Sequence, residues 1–159
     1  MTYDVLDVAD EFLNLARRDK SPVDPLKLQK LVYLGHGWNL ALRSIPLILN
    51  DVEAWKWGPV VPKLYHRFRD FRANPITTPP RSDSPVDDKS RAMIESAWKV
   101  YKPFSSIQLS MLTHESGSAW DIIRRAAAND WTSPVIPNEL IKEEFLIRRS
   151  NDGNLRQTT

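Results

Sequence analysis

The stretch from Asp24 to Leu42 constrains the fold more than any other part of the chain. Asp24 followed by Pro25 starts a helix with a mechanism: the Asp side chain accepts an orphan backbone N–H, and proline costs nothing where no N–H has a partner. Leu28, Leu31, Val32, Gly35, Trp38, Asn39 and Leu42 then follow the helical period, while Leu26, Leu34 and Leu40 widen the stripe beyond one face. A helix that is apolar on more than one side must be surrounded. The expected fold is therefore mainly α: a single domain of about six to seven helices packed around this central one, with one small β-hairpin.

The flanking segments supply the wrapping. Val5, Val8, Ala9, Phe12 and Ala16 lie at helical spacing between Asp4 and Arg18, with acids at the start and Arg17, Arg18 and Lys20 at the close, as the helix dipole favours. Pro62 sits where a first helical turn accepts it, ahead of Leu64, Tyr65, Phe68 and Phe71. Further helices are expected over 87–101 with Met93, Ile94, Ala97 and Trp98 inward, and from Ser105, where Ser105 and Gln108 have capping-box spacing. Two more are expected over 119–128, burying Trp120, Ile123 and Ala127, and over 137–149, burying Leu140, Ile141 and Phe145. Prolines 75, 79, 80 and 85 make 72–87 a loop, expected to be mobile. The domain is expected to span 1–149, with 150–159 as a flexible tail.

Between Ile45 and Trp57 the period changes to that of a strand. Ile45–Leu49 and Val52–Trp57 flank Asn50-Asp51, which reads as a hairpin turn, and Gly58-Pro59 reads as its end. Alternation puts Glu53, Trp55 and Trp57 on one face and Val52, Ala54 and Lys56 on the other. With the tryptophans inward, Glu53 is inward too and needs a partner, for which Lys30 or Gln29 is in place at the start of the central helix.

Composition excludes several classes of function. Among 159 residues there is no cysteine, so disulfides, thiolate metal sites and thiol nucleophiles are impossible, and a cytoplasmic location is expected. Acids occupy the N-terminus where a signal peptide carries basic residues, and no apolar run approaches the roughly 18 residues that span a bilayer. His36, His66 and His114 lie in no ligand spacing, so no metal or cofactor is expected. Thr113-His114-Glu115 is not an acid–base pair, because adjacent residues on a helix do not face one another. No phosphate loop or nucleophile elbow is present, so binding is expected and not turnover.

Three separated motifs carry a resemblance. They are the run from Leu26 to Leu42 with Gln29-Lys30 and Gly35-His36-Gly37-Trp38, then Glu53-Ala54-Trp55-Lys56-Trp57-Gly58-Pro59-Val60-Val61-Pro62, then Leu112-Thr113-His114-Glu115 ahead of Trp120. In this order, over about Asp4 to Phe145, the chain resembles the Panacea domain of SocA-like antitoxins, a family that also includes phage-associated proteins. The resemblance implies a small, mostly helical domain that neutralises a cognate protein toxin encoded beside it. One member acts as an adaptor that hands its toxin to an ATP-dependent protease. It also marks Gln29, Lys30, Glu53, Trp55, Gly58, Pro59, Val60, Thr113, His114 and Trp120 as motif residues, structural or partner-binding. No helix-turn-helix or other appended domain is expected.

One feature supports a different class of function. Residues 54–82 hold Lys56, Lys63, Arg67, Arg69, Arg72 and Arg81 against Asp70 alone. Interleaved with Tyr65, Phe68 and Phe71, the cluster Lys63, Arg67, Arg69 and Arg72 could track a phosphate backbone or steer an acidic protein, and the alternative function is a phage or mobile-element nucleic-acid-binding regulator or counter-defence protein. The expected interaction surface is the hairpin corner with the 62–72 helix.

Overall fold

Helix α2 (Pro25–Arg43) is walled in along nearly its whole length: every residue from Lys27 to Ala41 is buried except the half-buried Trp38. Asp24 caps it as expected, accepting the Lys27 N–H at 2.8 Å, with Pro25 in the first turn. This is a computed structural model; it describes residues 1–128 and 132–157, those beyond Asn151 as backbone only. The elements around α2 are α1 (Val5–Arg18), a hairpin of β1 (Glu53–Trp55) and β2 (Gly58–Val60), α3 (Pro62–Phe68) with a 3-10 turn over Arg69–Phe71, α4 (Asp88–Tyr101), α5 (Ser106–Thr113), α6 (Ala119–Ala127) and α7 (Asn138–Gln157). Helices α1, α3, α4, α5 and α7 and strand β2 all pack on α2. The molecule is mainly α, with seven α-helices among the described residues.

Local chemistry sets most boundaries. Asp4, Asp87 and Ser118 cap α1, α4 and α6 through their side chains, and Ser105 with Gln108 closes both arms of the capping box on α5. Helix α7 comes close enough to α2 only because Gly37 has no side chain: a Cβ there would fall inside the van der Waals envelope of three carbons of the Phe145 ring. Helix α7 continues to Gln157, past the expected end at 149; Thr158 and Thr159, the rest of the expected tail, lie outside the described residues. Trp120, Ile123 and Ala127 are only partly buried, because α6 lies at the edge and its one buried residue is Ala119. The 72–87 loop is held at several points: Ile76 donates to the Val23 carbonyl at 2.9 Å, Asn14 to the Arg81 carbonyl at 2.8 Å, and Arg81 pairs with Asp7 and Asp10 of α1.

The hairpin differs from expectation by one segment. Ile45–Leu49 does not pair with Val52–Trp57; it runs beside the N-terminus, where Tyr3 N donates to Leu47 O (2.9 Å) and Leu49 N to Tyr3 O (2.8 Å). Asn50 is not a turn residue but accepts the Val5 N–H at 2.8 Å. Strand β1 pairs with Gly58–Val60 in the register Glu53 to Val60, Ala54 to Pro59 and Trp55 to Gly58, through a turn at Lys56-Trp57. Gly58, which looked like a terminator, has φ +129°, a conformation that L side chains resist. Pro59 is tolerated because Ala54, opposite it, donates outward to Pro134 O (2.8 Å), which puts the missing proline N–H on the side facing away from β1.

Candidate partner-binding site

A sheet of two three-residue strands does not hold itself together in water. Here its backbone is gripped by side chains from the surrounding helices. Gln29 pairs with Val61 in both directions, its Nε2 donating to Val61 O (3.0 Å) and its Oε1 accepting from Val61 N (3.1 Å). Lys30 Nζ donates to Pro59 O at 3.0 Å. The two residues thus cover the outer edge of β2 where a third strand would lie. On the other side Arg124 donates to Ala54 O (3.2 Å), Trp120 Nε1 to Trp55 O (2.5 Å), and Ile136 N to Val52 O (2.7 Å).

This arrangement corrects the expected faces. The residue turned to the core is Ala54, fully buried, while Glu53 and Trp55 are half-buried and Trp57 is 72% exposed. Glu53 pairs with neither Lys30 nor Gln29. Its Oε1 accepts from the Trp55 indole at 2.9 Å, on the outer face they share. Trp55 then stands edge-on to Tyr65, ring centroids 5.0 Å apart. Trp38 of the central helix is elsewhere: it donates to the Tyr101 hydroxyl (2.8 Å) and packs on Phe145.

The remaining motif residues brace the clamp from behind. Thr113 donates its hydroxyl to carbonyls of Leu109 and Ser110 at the end of α5. His114 occupies the C-cap position with its ring against Trp120 at 5.5 Å; its Nδ1 is buried without a hydrogen-bond partner among the described residues. The φ of +129° is what calls for glycine at 58; a Cβ there would also come to 2.9 Å of Lys30 Nζ, so the end of that side chain would have to shift. Among the described residues no cluster of ligating side chains could hold a metal ion. His36 is buried on α2, its Nδ1 accepting the Leu47 N–H (3.2 Å) and its Nε2 bonded to Asn138; burial pushes its pKa down to about 4.

The basic cluster is divided. Lys63 is paired with Asp4 (2.6 Å), Arg81 with Asp7 and Asp10, and Arg67 lies over the Phe68 ring. The acids of the N-terminal segment neutralise part of the excess read along the chain. Arg69 and Arg72 make no ion pair among the described residues and line a groove with Lys56, Trp55, Trp57, Tyr65, Leu26, Val60 and Leu64. Its volume is about 470 Å³. Lys30, 1% exposed, lies beneath it, and burial lowers the ammonium's pKa to about 8. A second groove, about 460 Å³ between Trp38, Ser118 and Arg148, has its charges satisfied: Arg148 pairs with Glu144, which also accepts from Ala119 N at 2.7 Å. Residue patterns did not single out Glu144 or Arg124, since both act on backbone groups distant in sequence.

The sequence profile described as "Antitoxin SocA-like, Panacea domain" matches residues 28–121, which hold Gln29-Lys30, the hairpin and Trp120. Antitoxin SocA of Caulobacter vibrioides (strain NA1000 / CB15N) is 30% identical over 162 aligned residues, covering 89% of this chain and 82% of that protein. No solved structure matches the chain. No helix among the described residues is long and apolar enough to cross a membrane.

Proposed function

Because this chain belongs to the family of SocA-like antitoxins with a Panacea domain, we propose that it neutralises a cognate protein toxin by direct protein–protein binding, with the hairpin and α3 as the contact surface. The observation that carries this choice of surface is Trp57, 72% exposed at the tip of a hairpin that side chains grip along both edges. An aromatic ring held into solvent by a clamped turn offers contact area with little ordering left to do on binding. Trp, Tyr and Arg, the residue types that dominate partner interfaces, gather here as Trp55, Trp57, Tyr65, Arg69 and Arg72. The role is binding and not turnover. Regulation through nucleic acid is less supported, since Lys63 and Arg81 are paired with acids.

The test is co-expression with the adjacent gene. Growth arrest by the neighbour alone, relieved by this chain, supports the reading. A neighbour that is harmless, or toxic and not rescued, overturns it. Toxin lifetime separates the two routes: a shortened half-life in the presence of this chain marks delivery to an ATP-dependent protease, and an unchanged one marks sequestration.

A further inference from the structure

Resting on that reading, the geometry points to the chemistry of what enters the groove: we propose that it takes a short acidic segment of the partner protein, anchored by one apolar side chain. The groove is about 470 Å³, inside the range of about 300 to 1,000 Å³ typical of binding pockets. Leu26, Val60, Leu64 and the rings of Trp55 and Tyr65 give it an apolar lining, so an aliphatic or aromatic side chain fits it. The rim carries charge of one sign. Lys56, Arg69 and Arg72 are exposed and make no ion pair among the described residues, whereas Lys63, Arg81 and Arg91 are each paired with an acid of the N-terminal segment. Lys30 adds a buried positive charge below, satisfied only by Pro59 O among the described residues, and the nearby Glu53 is engaged by the Trp55 indole. Carboxylates flanking an apolar anchor complete this surface, and beside an apolar lining an Arg–carboxylate pair is worth more than in open water. A nucleic acid fits less well. In the groove next along α3, Asp4, Asp7 and Asp10 already hold Lys63 and Arg81 in ion pairs, so past Arg67 a phosphate backbone meets no further unpaired cation among the residues lining it, whereas a short peptide needs only the first groove.

The test uses the purified full chain and three probes followed by Trp fluorescence: a hexapeptide with a Phe-Leu centre flanked by glutamates, the same peptide with lysines, and an oligothymidylate. The variants are Arg69→Glu/Arg72→Glu, both exposed, and a control reversal Lys89→Glu/Lys99→Glu on the exposed face of α4; circular dichroism checks that each is folded. The expected result is saturable binding of the acidic peptide alone, weakened roughly tenfold or more by the groove reversal and unchanged by the control. In co-expression the groove reversal is expected to lose rescue while the control keeps it. No saturable binding of the acidic peptide, equal binding by the groove reversal, or preference for the oligothymidylate overturns the assignment. Undiminished rescue by the groove reversal overturns it whatever the peptide does, and leaves toxin neutralisation standing. If the wild type binds the peptide yet rescues no neighbour, the neutraliser reading falls and the acidic-segment groove stands.

Discussion

Replacing Lys30 by methionine is expected to stabilise the protein at neutral pH. The side chain is 1% exposed, its ammonium donates to Pro59 O at 3.0 Å, and no carboxylate among the described residues comes within ion-pair range. Burial holds its pKa at about 8, down from 10.5. A fall of that size corresponds to about 3 kcal/mol. Below pH 8 both folded and unfolded chains carry the proton, so the folded state bears the whole penalty. Between about 8 and 10.5 the unfolded chain still binds a proton that the folded one has released, so stability rises with pH, by about 2 kcal/mol from pH 7 to 9.5. Methionine has similar length and no charge; it leaves Pro59 O without its donor, a cost of about 1 kcal/mol. The net expectation is a gain of about 2 kcal/mol at pH 7 that closes by pH 9.5. Urea unfolding of both proteins across this range reads it directly. Taking the difference between them removes Lys27, whose pKa burial also lowers, and Tyr3 and Tyr33, whose hydroxyls burial pushes up. Parallel stability curves for the two proteins, or a Lys30→Met variant less stable at pH 7, would refute the reasoning.

Other perturbations probe the same frame. Gln29→Ala strips partners from both the N–H and the C=O of Val61, so a loss of about 2 to 4 kcal/mol is expected, together with faster hydrogen exchange at the Val61 amide. Gly37→Ala forces α7 away from α2 at the Phe145 ring and is expected to cost about 1 to 3 kcal/mol or more, partly recovered by Phe145→Leu; thermal melts of the single and double variants check it. His36 is held neutral to about pH 4 because burial disfavours the charged, protonated ring, against the hydrogen bond to Asn138, which favours it. The unfolded chain takes up that proton near pH 6.5, so about 3 kcal/mol of stability is lost as pH falls from 6.5 towards 4. A ring signal in NMR that titrates near 6.5 would contradict this.

How much of this was legible in the sequence depends on whether the partner of a residue is local. Asp24 before Pro25, and Ser105 with Gln108, act on N–H groups within three residues, and both were readable. Burial of the central helix was readable because enclosure leaves an all-round apolar pattern. Of the two strands expected, only Val52–Trp57 belongs to the hairpin, as its first strand and not its second, and with the other face inward: hydrophobicity ranks Trp above Ala, yet Ala54 is the residue that is fully buried. Its second strand was hidden because Gly58-Pro59 resembles a stop, and only the outward hydrogen bond of Ala54 shows that no N–H is required at Pro59.

The Gln29-Lys30 motif sharpens the point. Both residue types suggested a polar partner, and Glu53 was the polar side chain at hand. Their actual partners are Pro59 O and the peptide groups of Val61, 29 and 32 residues away, and a backbone group carries no signature in a pattern of residue types. The same limit governs the charges. Lys63 and Arg81 belong by sequence to one basic cluster with Arg69 and Arg72, yet Asp4, Asp7 and Asp10 reach the first two across 59 to 74 positions and leave the last two unpaired among the described residues. What sets the basic residues of the groove apart is thus the folding of α1 against α3 and the 72–87 loop, which consumes the other cations. Reversing Arg69 and Arg72 therefore tests binding, whereas reversing Lys63 or Arg81 would test the packing of α1.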